Sequence, residues 1–380
     1  MLLETLRADG ILSFAPGSPA ISLRPLNVII GPNGSGKSNL IEIIELLAAA
    51  PTGIAPVIRQ GGGAPEWLWK GRPPASEATI EARLVGAPTA LRYKLSLAGI
   101  GPRFEVVDEI LDEADDASRF VYQFRGGQPT MRLDSGGEHQ LRRGNFAIDQ
   151  SILSQRKEPD LYPELAWCAD RLSRIQTFRE WSFGRDAALR MPQPADLPTD
   201  RLLADARNLG LLFNQLDHGA AGPGLREVLR RFLPRVERIT TLVQANSIQL
   251  FLHEEGLRTP VPAARLSDGT LRFLAMAALL VAPDPPPLIC IEEPELGLHP
   301  DALSTVAQLL TAASERTQLV VTTHSDALVS ALTDHVDSVL VCEHRGGSQL
   351  RHLEADRLQH WLENYRLGDL WRMGELGGNP

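Results

Sequence analysis

The chain has 380 residues, 43% of them hydrophobic and 22% charged, with a formal net charge of −9. This composition suits a globular protein of one large domain or two ordinary ones; it excludes wholesale disorder and any general attraction to polyanions. Three scattered cysteines exclude a disulfide framework, no apolar run reaches the length of a membrane span, and no basic leader precedes an apolar stretch, so cytoplasmic residence without a membrane partner is expected.

The first thirty residues read as two short strands around a polar turn, ending in the apolar run Leu26-Asn27-Val28-Ile29-Ile30. Gly31-Pro32-Asn33-Gly34-Ser35-Gly36-Lys37-Ser38 follows and matches the phosphate-loop pattern G-x-x-x-x-G-K-[ST] at every fixed position. Its context is right, because a helical pattern with Leu40, Ile41, Ile43, Ile44 and Leu47 on the buried side comes next. The glycines let successive N–H groups turn inward on a β-phosphate. Lys37 is placed to bridge the β- and γ-phosphates, Ser38 to ligate Mg2+, and the helix adds its positive N-terminal dipole. Pro51 ends the helix, and the Gly- and Pro-rich residues 52–75 read as a long surface loop.

From residue 78 to about 111 an alternating pattern predicts antiparallel strands, with a further strand at 119–124. Residues 151–237 are mostly helical in pattern, broken by Met191-Pro192-Gln193-Pro194, and 247–252 read as a strand. Then come a helix (271–282), a strand (288–292), a helix (301–315) and strands at 318–323 and 338–342. That alternation predicts a parallel sheet covered on both faces. The basic clusters Arg142-Arg143 and Arg171, Arg174, Arg179, Arg185 read as solvated or ion-paired surface rather than a nucleic-acid footprint.

Three features of the last third carry chemistry. Leu266-Ser267-Asp268-Gly269-Thr270 opens a helix; a hydroxyl and a glycine N–H there could form a second anion site, although taken alone a plain helix cap is the better explanation. Leu288-Ile289-Cys290-Ile291-Glu292-Glu293-Pro294 ends an apolar strand in two acids, one suited to hold Mg2+ and the next to polarise a water. Taken alone, the same acids could simply precede a helix started by Pro294. His324 follows the strand Gln318-Leu319-Val320-Val321-Thr322-Thr323, where it could hydrogen-bond a γ-phosphate.

In this order and spacing the four elements resemble the ABC-type ATPase superfamily, within it the SMC/RecF/OLD-like branch. The run from Gly31 to Asn39 resembles that branch's GPNGSGKSN loop and LSDG at 266–269 its LSxG signature. Glu292 to Glu295 with Gly297-Leu298-His299-Pro300 resembles its Walker B and D-loop, and Thr323-His324-Ser325 its switch histidine. The ending, from Gly368-Asp369-Leu370 to Gly374-Glu375-Leu376-Gly377-Gly378-Asn379, is similar to that of stand-alone bacterial ATPases of this group. The resemblance implies an α/β P-loop fold, an ABC-type ATPase head with a mixed sheet, an antiparallel β subdomain and a helical lobe. The corresponding domains are an N-terminal ATPase lobe (1–150), a helical lobe (151–240), a C-terminal ATPase lobe (241–353) and a tail (354–380). It implies ATP bound by Asn33, Gly34, Ser35, Gly36, Lys37, Ser38 and Asn39 of one copy and by Ser267, Asp268 and Gly269 of another, in an ATP-dependent homodimer. Glu293 and His324 would be catalytic, and Ser38 and Glu292 would hold Mg2+.

Two departures stand out. The usual Walker B aspartate is Glu292 here, and the Q-loop glutamine, a further metal contact, is assigned to Gln150 with Gln155 as the weaker candidate. OLD relatives carry a Toprim nuclease after the ATPase; the chain beyond His324 is too short for one, so a separate nuclease or effector protein and DNA are the expected partners. A RecF-like repair ATPase without nuclease is the alternative. A transporter subunit fits less well, given LSDGT and the strand-rich insertion.

Overall fold

In the computed structural model, the run Leu26–Ile30 is a strand buried at every position. The structure describes residues 1–378 other than 73, 101–102, 133–136, 143, 145, 180 and 182; Arg143 and Asn379 therefore lie outside the described residues. Leu26–Ile30 runs parallel to Gln318–Thr322 on one side and Val339–His344 on the other. Leu288–Glu292 and Gln176–Phe178 extend the parallel set, and Ser348–His352 closes the opposite edge antiparallel. Continuous apolar runs are what strands covered on both faces require.

Alternate residues of these strands feed two cores. Val28, Ile30, Ile289, Ile291 and Val321 join the core of helices Asp268–Val281 and Leu303–Ser314. Ile29, Cys290 and Val320 join that of helix Lys37–Ala49. The phosphate-loop helix and the Ser267 helix thus pack on opposite faces of the central sheet. Lys37–Ala49 is covered on its other side by a second, antiparallel sheet of eight strands among the described residues, which includes Leu3–Asp9 and Glu77–Leu84. In Glu77–Leu84 every second residue, Ala78, Ile80, Ala82 and Leu84, is buried, the period of a sheet with one covered face.

Two expectations are corrected. Residues 52–75 are not simply a surface loop: helices Ala55–Gln60 and Ala64–Trp67 dock on the core through Ile54, Ile58 and Trp67. These three apolar anchors outweigh the Gly-rich composition. Residues 151–237 hold helices Pro163–Ser173, Leu209–His218 and Gly222–Phe232, but also the central-sheet strand Gln176–Phe178. Strand Val236–Gln244 makes a hairpin with Ser247–Glu254.

Glu109 ties the antiparallel sheet to the segment after it. Its buried carboxylate accepts from Tyr93 Oη (2.7 Å), Ser151 Oγ (2.6 Å) and Ile152 N (2.9 Å). Burial pushes the Glu109 pKa up to about 7, against the opposing hydrogen bonds from Ser151, Ile152 and Tyr93.

The carboxy-terminal segment is a brace. Helix Leu367–Met373 buries Leu367, Leu370 and Trp371, and its Arg372 Nε lies 3.2 Å from Asp326 Oδ2, just past His324. Trp371 Nε1 donates to Gly378 O at 2.6 Å, and Gly378 N donates to Glu343 Oε1 at 3.1 Å. Gly378 packs directly on Gly31, the first residue of the phosphate loop. No described helix is long and apolar enough to cross a membrane.

Candidate functional site

The phosphate loop, the acidic pair and His324 all follow the carboxyl ends of adjacent parallel strands, Leu26–Ile30, Leu288–Glu292 and Gln318–Thr322. Open α/β sheets gather ligand-binding groups at that edge. Asn33 and Gly34 are exposed, Ser35, Gly36 and Lys37 buried, and Ser38 and Asn39 half-buried.

Gly36 caps the helix at φ 108°, and a Cβ there would overlap the Ser348 hydroxyl; only glycine satisfies both constraints. Beneath the loop, Ser348 Oγ lies 2.5 Å from Ser35 O and 2.6 Å from Ser13 Oγ. The Ser35 hydroxyl is buried without a protein partner. Lys37 Nζ donates to Gly31 O (2.8 Å) and Pro32 O (3.0 Å). Burial pulls its pKa below the ordinary value, against the opposing pull of Cys342, Glu293 and Glu292. A buried ammonium ringed by carbonyls, an orphaned hydroxyl and a glycine-only turn fit a polyphosphate.

Ser38 Oγ donates to Glu292 Oε1. The other oxygen, Glu292 Oε2, accepts from Arg179 Nε at 3.2 Å. Arg179 also donates through Nη2 to Glu42 Oε1 at 2.7 Å and lies 3.6 Å from Glu45 Oε2, both on the phosphate-loop helix. Burial opposes the Arg179 charge, yet its pKa is raised because Glu42 and Glu292 outweigh that penalty. Among the described residues no cluster of three or more His, Cys, Asp or Glu could hold a metal. A hydroxyl plus one carboxylate nevertheless fits Mg2+, which takes few protein ligands alongside phosphate and water.

Glu293 adopts φ 47°, a left-handed conformation costly for a non-glycine residue. Its N–H donates to Thr322 O (3.0 Å), and its carbonyl accepts from Arg272 Nη1 (3.3 Å) on the Ser267 helix. This over-determined turn brings Glu293 Oε1 to 3.7 Å from His324 Nε2. Glu295 Oε1 accepts from Thr323 Oγ1 (2.7 Å) and His324 N (2.8 Å), which fixes the histidine backbone.

Ser267 caps its helix, its hydroxyl accepting from Thr270 N at 3.1 Å. Ser267 and Asp268 are exposed, and Gly269 is buried against Gly297 O so closely that a Cβ would overlap it. Arg190 secures this loop from below. It donates to Leu266 O (2.7 Å) and Phe183 O (2.8 Å) and pairs with Asp268.

The assignment of Gln150 to the metal is corrected. Its carboxamide lies against Gly53, past the far end of helix Lys37–Ala49 and roughly 16 Å along that axis from Ser38. Gln155 points elsewhere too, donating to Ala147 O and Gln150 O. Sequence reading also missed Arg179, Arg190, Ser13 and Ser348. Arg179 directly follows the short strand Gln176–Phe178, whose register with Leu288–Glu292 sets it beside Glu292, a placement that no local sequence pattern encodes.

Fold and site together define a P-loop ATPase of the ABC type, SMC/RecF/OLD-like branch, a class that binds nucleotide, typically with Mg2+. The chain belongs to the family described as "AAA domain, putative AbiEii toxin, Type IV TA system", whose model matches residues 26–330. It is 24% identical over 379 residues to the Old nuclease of Escherichia phage P2, a match covering 90% of this chain and 60% of that protein. The chain therefore spans about 60% of that relative's length. An SMC head solved with the C-winged helix domain of ScpA superposes with a TM-score of 0.61 at 15% identity, covering 95% of this chain and all (100%) of that one. The SMC head of Thermotoga maritima gives 0.51 at 16% identity, covering 93% of this chain and 100% of that one. At such identities the likeness is one of fold.

Proposed function

We propose that the chain is an ATP-hydrolysing switch that closes head to tail on a second copy when ATP binds. We further propose that it acts on DNA with a separate effector, in bacterial genome maintenance or anti-phage defence. The observation that carries the first part is an asymmetry. Lys37, Ser38, Glu292, Glu293 and His324 gather at one edge of the central sheet, while the helix capped by Ser267 packs on the face opposite the phosphate-loop helix. An exposed cap with no phosphate-loop partner among the described residues suits a site completed by another copy.

In this reading Lys37 neutralises the β- and γ-phosphates, and Ser38 and Glu292 hold Mg2+. The metal would offset charge on the transferring phosphoryl group. Glu293 orients the attacking water, and His324 hydrogen-bonds the γ-phosphate. Ser267 and Gly269 of the second copy cover that phosphate from the other side. The family description, with its toxin and TA-system wording, supports a defence role, and likeness to a protein named as a nuclease supports action on DNA.

Glu293→Gln tests this. Turnover should fall by roughly 100-fold or more, and size-exclusion chromatography with ATP and Mg2+ should show a dimer that wild type holds only transiently. A monomer peak unchanged by ATP would overturn the dimer reading. The trapped species in a gel shift across salt concentrations tests the DNA part, which the absence of ATP-dependent binding would remove.

A further inference from the structure

Three carboxylates from two elements converge on one guanidinium beside the phosphate loop. Glu42 and Glu45 project from helix Lys37–Ala49, Glu292 ends the strand Leu288–Glu292, and Arg179 lies between them. Without a cation the three acids would repel one another. Arg179 directly follows Gln176–Phe178, whose Phe178 pairs in register with Ile291, so that backbone register alone carries it to Glu292. The longer Walker B acid matters here, since Glu292 spans from the Ser38 hydroxyl on one oxygen to Arg179 on the other.

We propose that Arg179 is a positioning residue of the metal site. Anchored on Glu42, its planar fork holds one oxygen of Glu292 and leaves the other turned toward Ser38. This rests on the ATP and Mg2+ reading above. Arg179 does not touch the metal; it orients a ligand, as partners in the outer shell of metal sites do. The fork is needed because a single point charge cannot hold Glu42 and Glu292 at fixed angles.

The test is the ratio of affinities for a fluorescent ATP analogue in Mg2+ and in EDTA, measured on wild type, Arg179→Ala, Arg179→Lys and Lys37→Ala. Arg179→Ala should lower the Mg2+-dependent gain in affinity by about 10- to 100-fold, with affinity in EDTA lowered far less. Arg179→Lys should recover part of the gain. An unchanged ratio would overturn the proposal, as would equal losses in both buffers, which mark a purely structural role. A larger ratio would also overturn it, because Arg179 would then compete with the metal. If Arg179→Ala fails to fold, Glu42→Gln, which removes the charged anchor of Arg179 on the helix and leaves only Glu45 there, should lower the ratio in the same direction but by less; no change would count against the idea. Wild type that binds no nucleotide, or Lys37→Ala that binds as well as wild type, would instead overturn the underlying ATP reading.

Discussion

At the scale of single residues, the site is built from charged groups that are buried but tied down. Lys37 spends its donors on two loop carbonyls, Arg179 on Glu42 and Glu292, and Arg190 on the backbone beneath Ser267. Glu293 keeps a left-handed backbone because Thr322 and Arg272 grip it from both sides. Arg190 is the clearest case for measurement. Truncation to alanine would leave the carbonyls of Phe183 and Leu266 buried without a donor, a loss of roughly 3 kcal/mol. Urea melts should show that loss for Arg190→Ala, together with weaker ATP-driven dimerisation as the loop carrying Ser267 and Asp268 loosens; a midpoint equal to wild type would refute the assignment.

At the scale of elements, the strand, glycine loop and helix of residues 26–49 could be read directly, because apolar periodicity and loop chemistry agree there. The alternating last third was legible for the same reason. The hairpin strand Val236–Gln244 was not, since eight of its nine residues are half-buried or exposed and give no clean period. Helices Ala55–Gln60 and Ala64–Trp67 were hidden by Gly61-Gly62-Gly63, although Pro56 and Pro65 in their first turns were an available signal. The site was legible where its residues are neighbours in sequence. Arg179 and Glu292 pair across 113 positions, and no local pattern encodes such a contact.

Glu109 offers a test of how elements are joined. Its folded pKa of about 7 lies above the ordinary carboxylate value of 4.5, so the folded state holds this proton more tightly than the unfolded chain. The contribution is full below the unfolded pKa and is lost as pH rises through the folded one, up to about 3 kcal/mol. Comparing Tm between pH 4.5 and 8, Glu109→Gln should fall less steeply with rising pH than wild type; parallel profiles would refute the burial argument.

For the whole molecule, the central sheet is the partition that decides how activity scales. With the phosphate-loop helix on one face and the Ser267 helix on the other, the proposed head-to-tail closure would have two chains surround one ATP. Lys37→Ala and Ser267→Arg should each lower turnover roughly 100-fold, and an equimolar mixture should regain part of the rate, because a mixed pair contains one complete site. A mixture no faster than its components would refute sharing. A last consequence follows from the brace that links Gly378 to Gly31 and Arg372 to Asp326. Damage to the helix Leu367–Met373 would register as a defect at the phosphate loop, although the two lie far apart in sequence. Genetic suppressors of such a lesion would then be sought around Gly31.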